Sequence, residues 1–137
     1  MINLLHVDDD VDILEITKMA LDISGDFEVA QCTSGYEALQ KINEFTPAVF
    51  LLDVMMPNMT GPQTLEKLRV ISGLRDVPAI FMTAHVSTEN QRDLFDLGAI
   101  DVIGKPFDPL TLHERIKSAL KEYAEKARIV HLAGPSV

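Results

Sequence analysis

Residues 49–57 read "VFLLDVMMP", an apolar run that ends on Asp53 and is closed by Pro57. A run of this length bounded by turn residues reads as a strand covered on both faces, the kind found in parallel sheets. A carboxylate at its end is costly to bury unless it is solvated or paired. Taken alone, Asp53 can simply mark the point where the strand leaves the core. The rest of the chain decides between that reading and a functional carboxylate.

Working outward from this run, short apolar stretches alternate with amphipathic ones five times, the pattern of a parallel sheet with helices on its faces. Strands are expected at Ile2 to Val7, Phe27 to Cys32, Ala48 to Leu52, Ala79 to Met82 and Asp101 to Ile103. In the first helix Ile13, Ile16, Ala20 and Ile23 recur at helical spacing and are expected to face inward. Ser34 is expected to cap a second helix that buries Ala38, Leu39 and Ile42. Gly61-Pro62 opens a third with Leu65 and Leu68 inward, since Pro costs nothing in the first turn. A fourth, around Glu89 to Leu97, would bury Leu94 and Phe95 and end at Gly98. The last runs from about Pro109 to Ala127 with Leu112, Ile116, Ala119 and Tyr123 on one face. The fold class is therefore α/β, a (βα)5 doubly wound five-stranded parallel sheet, and such sheets bind ligands beyond the C-terminal ends of their strands.

With 137 residues the chain has the size of one domain. Residues 1–128 are expected to form it, and 129–137, "IVHLAGPSV", to be a tail or the start of a linker because Gly134 and Pro135 interrupt any helix. No apolar run approaches bilayer-spanning length, and "MINLLHVDDD" lacks the basic region of a signal peptide, so a cytoplasmic protein without membrane contact is expected. The single cysteine, Cys32, leaves no internal disulfide and no Cys-based metal site. A formal charge of -9 disfavours direct nucleic acid binding and suits a domain that takes cations or basic partners.

The polar residues at the expected strand ends belong to four different strands: Asp8, Asp9 and Asp10 after the first, Asp53 on the third, Thr83 on the fourth, and Lys105-Pro106 after the fifth. Singly, each has an ordinary explanation: Asp10 or Asp12 as a helix N-cap, Thr83 as a strand residue, Lys105 as a surface lysine. Together they meet at one rim. Carboxylates gathered there repel one another, and a hard divalent cation with oxygen ligands relieves the repulsion. Mg²⁺ suits such a site because it takes one or two carboxylates plus a phosphate and keeps its waters. A hydroxyl and an ammonium then complete a place for a phosphoryl group, with a carboxylate as nucleophile.

"HVDDD", "FLLDVMMPNMTG", "IFMTA" and "GKPF", in this order and at these separations, resemble the receiver domain of two-component response regulators over about Ile2 to Tyr123. The resemblance implies a flavodoxin-like sheet in strand order 2-1-3-4-5. It implies that Asp53 takes a phosphoryl group from a histidine kinase or histidine phosphotransfer protein. It implies that Asp8, Asp9 and Asp53, with the backbone carbonyl of Met55, hold Mg²⁺, with Mn²⁺ as a substitute. Thr83 would be the switch hydroxyl, Lys105 the lysine that pairs with the phosphoryl group, and Lys105-Pro106 a cis peptide. Met55 and His85 match the two variable positions that tune phosphoryl lifetime. A monomer, or a dimer formed on phosphorylation, acting on a downstream protein or output domain, would follow. Val102 departs from the pattern: receiver domains commonly carry Tyr or Phe three residues before the lysine. With so small a residue there, the fourth helix is expected to carry most of the signal.

Other classes fit less well. A Ca²⁺ loop starting at Asp8 needs Gly and Glu where Ile13 and Met19 stand, and "VDDDVD" has no Gly for a dinucleotide-binding turn. A phosphatase of the haloacid-dehalogenase type would need Thr or Val at Asp12. A receiver-like module that binds protein without phosphorylation has no reason to keep all the active-site residue types.

Overall fold

The computed structural model describes residues 1–132. Five parallel strands, β1 (Ile2–Val7), β2 (Phe27–Cys32), β3 (Val49–Asp53), β4 (Ala79–Thr83) and β5 (Ala99–Gly104), form one sheet in the order β2-β1-β3-β4-β5. They alternate with α1 (Val11–Asp22), α2 (Gly35–Lys41), α3 (Gly61–Arg69), α4 (Thr88–Asp96) and α5 (Leu112–Leu132). Successive strand residues point to opposite faces, and both faces are apolar here. Leu5, Val7, Phe50, Leu52 and Phe81 pack with Ala38, Leu65, Leu68 and Leu94 of α2, α3 and α4. Leu4, Val49, Leu51, Ile80, Met82 and Ile103 pack with Ala20, Leu21, Leu112 and Ile116 of α1 and α5. With both faces covered, the ligand-accessible edge is the rim at the strand C-termini.

Local signals set the helix starts. Asp10, Ser34, Thr60 and Ser87 are N-caps whose side chains accept backbone N–H groups of the first turn. Thr60 and Gln63 form a full capping box, with Pro62 in the first turn of α3. Gly61 has a second reason to be there. A Cβ on it would run into the carbonyl of Asp53, so only glycine lets α3 begin this close to the end of β3.

Several expectations need correction. On α1 the buried residues are Leu14, Thr17, Ala20 and Leu21, while Ile16 and Ile23 are 42% and 57% exposed and Ile13 is half-buried. The helix carries two adjacent apolar stripes, and the one containing a threonine faces the sheet. Phe95 is 44% exposed, because Leu94 already fills the inward position of α4. β3 starts at Val49 rather than Ala48 and runs through Asp53, and β4 runs through Thr83. β5 is longer than expected, starting at Ala99 with a register shift that sets Ile80 opposite Asp101. α5 starts at Leu112 rather than near Pro109 and continues to Leu132, so residues 129–132 are helical; nothing before Gly134 stops a helix. The expectation for 133–137 lies outside the described residues.

Among the polar side chains buried in this frame is a histidine. His6 of β1 has no exposed surface; its Nδ1 lies 3.3 Å from Nε2 of Gln31, which also donates to the carbonyl of Leu14 at 2.7 Å. Its Nε2 has no partner among the described residues. Burial, followed by the positive charge of Lys105, pulls its pKa down from 6.5 to about 3. The folded protein thus refuses a proton that the unfolded chain accepts, so stability falls as pH drops from 6.5 toward 3. Relative to wild type, His6→Leu should remove about 2 kcal/mol of the stability loss between pH 6.5 and pH 5. Urea unfolding of both proteins across that range checks this, and parallel pH profiles would contradict it.

Candidate functional site

The C-terminal ends of β1, β3, β4 and β5 open into a cleft of about 270 Å³ lined by Asp8, Asp9, Asp10, Asp53, Met55, Thr83, Ala84, His85 and Lys105. Each strand delivers its residue by the same device: an apolar run buried between helix layers, whose last or next residue emerges at the rim. Asp8 follows β1 and its N–H donates to the carbonyl of Cys32 at 3.1 Å, the last bond of the β1–β2 pairing. Asp53 is the final residue of β3, and the N–H of Val54 donates to Met82 at 3.0 Å. Thr83 ends β4, and its carbonyl accepts from the N–H of Lys105 at 2.8 Å. The Lys105-Pro106 bond is cis.

Lys105 organises the charges. Its Nζ donates to Asp8 Oδ2 at 2.8 Å and to Asp53 Oδ1 at 2.9 Å, bridging two carboxylates that are themselves buried. The other oxygen of Asp8 accepts the N–H of Asp10 at 2.9 Å, and Asp10 in turn caps α1 by accepting from Asp12. Asp9 is exposed, yet it offers a carboxylate oxygen within 4.8 Å of oxygens on both Asp8 and Asp53. Lys105 thus pairs with two of three clustered carboxylates. Burial pushes the pKa of Asp53 up from 3.8 to about 6; the hydrogen bond and charge of Lys105 oppose this, while Asp8 and Asp9 add to it. For Lys105, burial works against the charge but is outweighed by Asp8 and Asp53, which hold its pKa above the usual lysine value. A cluster with this balance can accept a further cation.

At the mouth, Thr83 Oγ1 accepts from the backbone N–H of His85 at 3.0 Å, and the carbonyl of His85 accepts from Asn90 Nδ2 at 3.3 Å. The Met55 side chain is exposed beside them. The six side chains expected at the rim, Asp8, Asp9, Asp10, Asp53, Thr83 and Lys105, line this one cleft, as do Met55 and His85. Val102 does not: it is buried against the α2–α4 layer. Asp10, read from the sequence both as a rim residue and as a helix cap, lines the cleft and caps α1. Ala84 joins the lining without having been singled out, since it offers no chemistry to notice.

The response regulator receiver domain family matches residues 4–117. The chain is 40% identical over 124 residues to the transcriptional regulatory protein CpxR homolog of Haemophilus influenzae, covering 90% of this chain and 52% of that protein. It spans about half the length of the curated relatives it matches. Among solved structures, the chemotaxis protein CheY4 of Vibrio cholerae superposes with a TM-score of 0.79 at 30% identity, covering 87% of this chain and 98% of that one. A CheY-like receiver domain from Methanospirillum hungatei gives 0.78 at 32% identity, over 92% and 98% of the two chains. Among the described residues no helix is long and apolar enough to cross a membrane. With sequence, strand order and rim chemistry in agreement, the chain belongs to the response regulator receiver domains, the phosphoacceptor modules of two-component signalling.

Proposed function

We propose that Asp53 is the phosphoacceptor. The observation that carries this is the convergence of Asp8, Asp9, Asp53, Thr83 and Lys105 on one cleft, with Asp53 at its floor and Oδ1 already in the grip of Lys105. An Asp53 oxygen attacks the phosphorus of a phosphohistidine on a histidine kinase or phosphotransfer protein. The P–N bond breaks as the P–O bond forms, and the electron pair stays with the imidazole nitrogen, which takes up a proton. Lys105, able to give up one of its two carboxylate partners, meets the incoming charge on a phosphoryl oxygen, and the Thr83 hydroxyl takes another. Met55 and His85 flank the route by which water would reach the acyl phosphate and so bear on its lifetime.

The donor set fits a hard divalent ion. Three carboxylate oxygens lie within 4.8 Å of one another, and Lys105 pairs with two of these carboxylates. Asp8, Asp9, Asp53 and the Met55 backbone carbonyl are the groups that would hold Mg²⁺, or Mn²⁺ in its place. When bound, the ion supplies charge neutralisation for the carboxylates and the phosphoryl oxygens.

On this reading the domain catalyses only its own phosphotransfer and autodephosphorylation, in the cytoplasm, and acts by protein contact rather than on nucleic acid directly. A phosphatase of the haloacid-dehalogenase type is disfavoured because Asp12 stands where its signature after the first strand needs Thr or Val. We place the end of the functional domain near residue 128, with 129–137 a tail or the start of a linker into which α5 continues as far as Leu132.

Two outcomes follow. Acetyl phosphate with Mg²⁺ should add one phosphoryl group to the wild-type protein and none to Asp53→Asn, read by intact mass spectrometry; equal labelling of both would remove Asp53 from its role. Mg²⁺ at ten times its Kd should stabilise the fold by about 1.4 kcal/mol, a rise in melting temperature of a few degrees. Asp9→Asn should blunt that rise and melt higher than wild type without metal, because it removes one of three crowded charges. An unchanged metal response in Asp9→Asn would contradict the ligand assignment.

A further inference from the structure

Val86 lies between His85, whose N–H is held by Thr83, and Ser87, the N-cap of α4. Residues 84–90 are all exposed, and α4 itself buries only Leu94. The segment joining the cleft to α4 therefore has few apolar fastenings, and Val86, though 49% exposed, supplies one. A Cβ placed on Gly104, the last residue of β5, would stand 2.7 Å from Val86 Cγ2 and 3.8 Å from Val86 Cβ. The first distance is well inside van der Waals contact. The Val86 methyl therefore occupies the space that any side chain at 104 would need, against the residue that immediately precedes Lys105. Polar bonds tie the same unit together: Asn90 Nδ2 donates to the His85 carbonyl at 3.3 Å, and the Asn90 N–H donates to Ser87 Oγ at 3.1 Å.

We propose that Val86, seated over Gly104, latches the segment between Thr83 and α4 in its phosphoryl-free arrangement, and that the fit of this seat sets how readily Thr83 is released toward a phosphoryl group. The proposal rests on the reading of Asp53 given above. Where receiver domains commonly use an aromatic residue on the fifth strand to follow the switch hydroxyl, this chain has a buried Val102. The half-exposed Val86 beside the cleft takes that part. A hydroxyl drawn away from the His85 N–H loosens one end of the segment; the Val86 seat resists at the other. Opening the seat should then favour the phosphoryl-bound state by as much as the seat favoured the free one.

Moving one methyl tests the fit. Val86→Ala opens a gap over Gly104, Gly104→Ala forces a clash, and the double substitution sets two Cβ atoms at the 3.8 Å of ordinary contact. Amide hydrogen exchange without any phosphoryl mimic should be faster over Ala84 to Asn90 in each single variant by about fivefold. The double variant should return to within about twofold of wild type. Protection in β1 and β3 serves as the control for intact folding. Mg²⁺-beryllofluoride, the phosphoryl mimic used as probe, should bind each single variant several-fold more tightly and the double variant as it binds wild type. Additive loosening in the double variant, or unchanged exchange in Gly104→Ala, would overturn the latch. The exchange pattern with equal beryllofluoride affinity in all four proteins would overturn its link to the switch. Failure of wild type to bind beryllofluoride any better than Asp53→Asn would instead overturn the reading of Asp53, and the proposal with it.

Discussion

Three carboxylates crowded together, two of them bridged by one lysine, are the constraint on which this structure turns. Parallel strands end at a common rim, so a chain that places acidic residues at the ends of β1 and β3 must bring their charges together. The fold does not relieve the crowding by exposure: Asp8 is fully buried and Asp53 nearly so. Lys105 relieves part of it by bridging both. Neighbouring features serve that arrangement. Gly61 lets α3 start against the Asp53 carbonyl, Asp10 both holds Asp8 and caps α1, and the Lys105 backbone N–H is pinned to Thr83. Charge left over at the rim works against the stability of the metal-free protein and suits the cluster to a further cation. Functional sites commonly carry such a conflict between stability and activity.

The site was largely legible in the sequence because its chemistry is attached to strand ends. Asp53, Thr83 and Lys105 needed only the positions of apolar runs and the rule that doubly wound sheets bind at their C-terminal rim. The helix faces were less legible. Ile13, Ile16 and Ile23 form as good a stripe as Leu14, Thr17, Ala20 and Leu21, and nothing local says which one meets the sheet; a buried threonine decided it. Phe95 beside Leu94 poses the same ambiguity on α4. His6 and Gly104 carry no local signal at all. A histidine inside β1 becomes informative only once its burial is known, and a glycine before Lys105 only once Val86 is found in the space above it.

The path from cleft to surface is lightly built. Thr83 is buried at the end of a central strand, but the next seven residues are exposed and α4 is anchored by one buried side chain, Leu94. Elements that move in signalling come from the low-stability part of a fold. Here that part begins one residue beyond Thr83, while the sheet beneath is packed on both faces by large apolar residues. Rigidity under Asp53 and lighter packing beside the Thr83 hydroxyl thus occur at the ends of two neighbouring strands, β3 and β4.

The central claim is that Asp53 is a crowded, buried carboxylate whose ionised form needs a second cation. Its carboxyl carbon can be followed by NMR as a function of pH in metal-free protein and again with saturating Mg²⁺. The account predicts a metal-free midpoint near 6, raised by burial and by Asp8 and Asp9, and a marked fall once Mg²⁺ is present. A metal-free midpoint at or below the ordinary carboxylate value, unmoved by Mg²⁺, would contradict it.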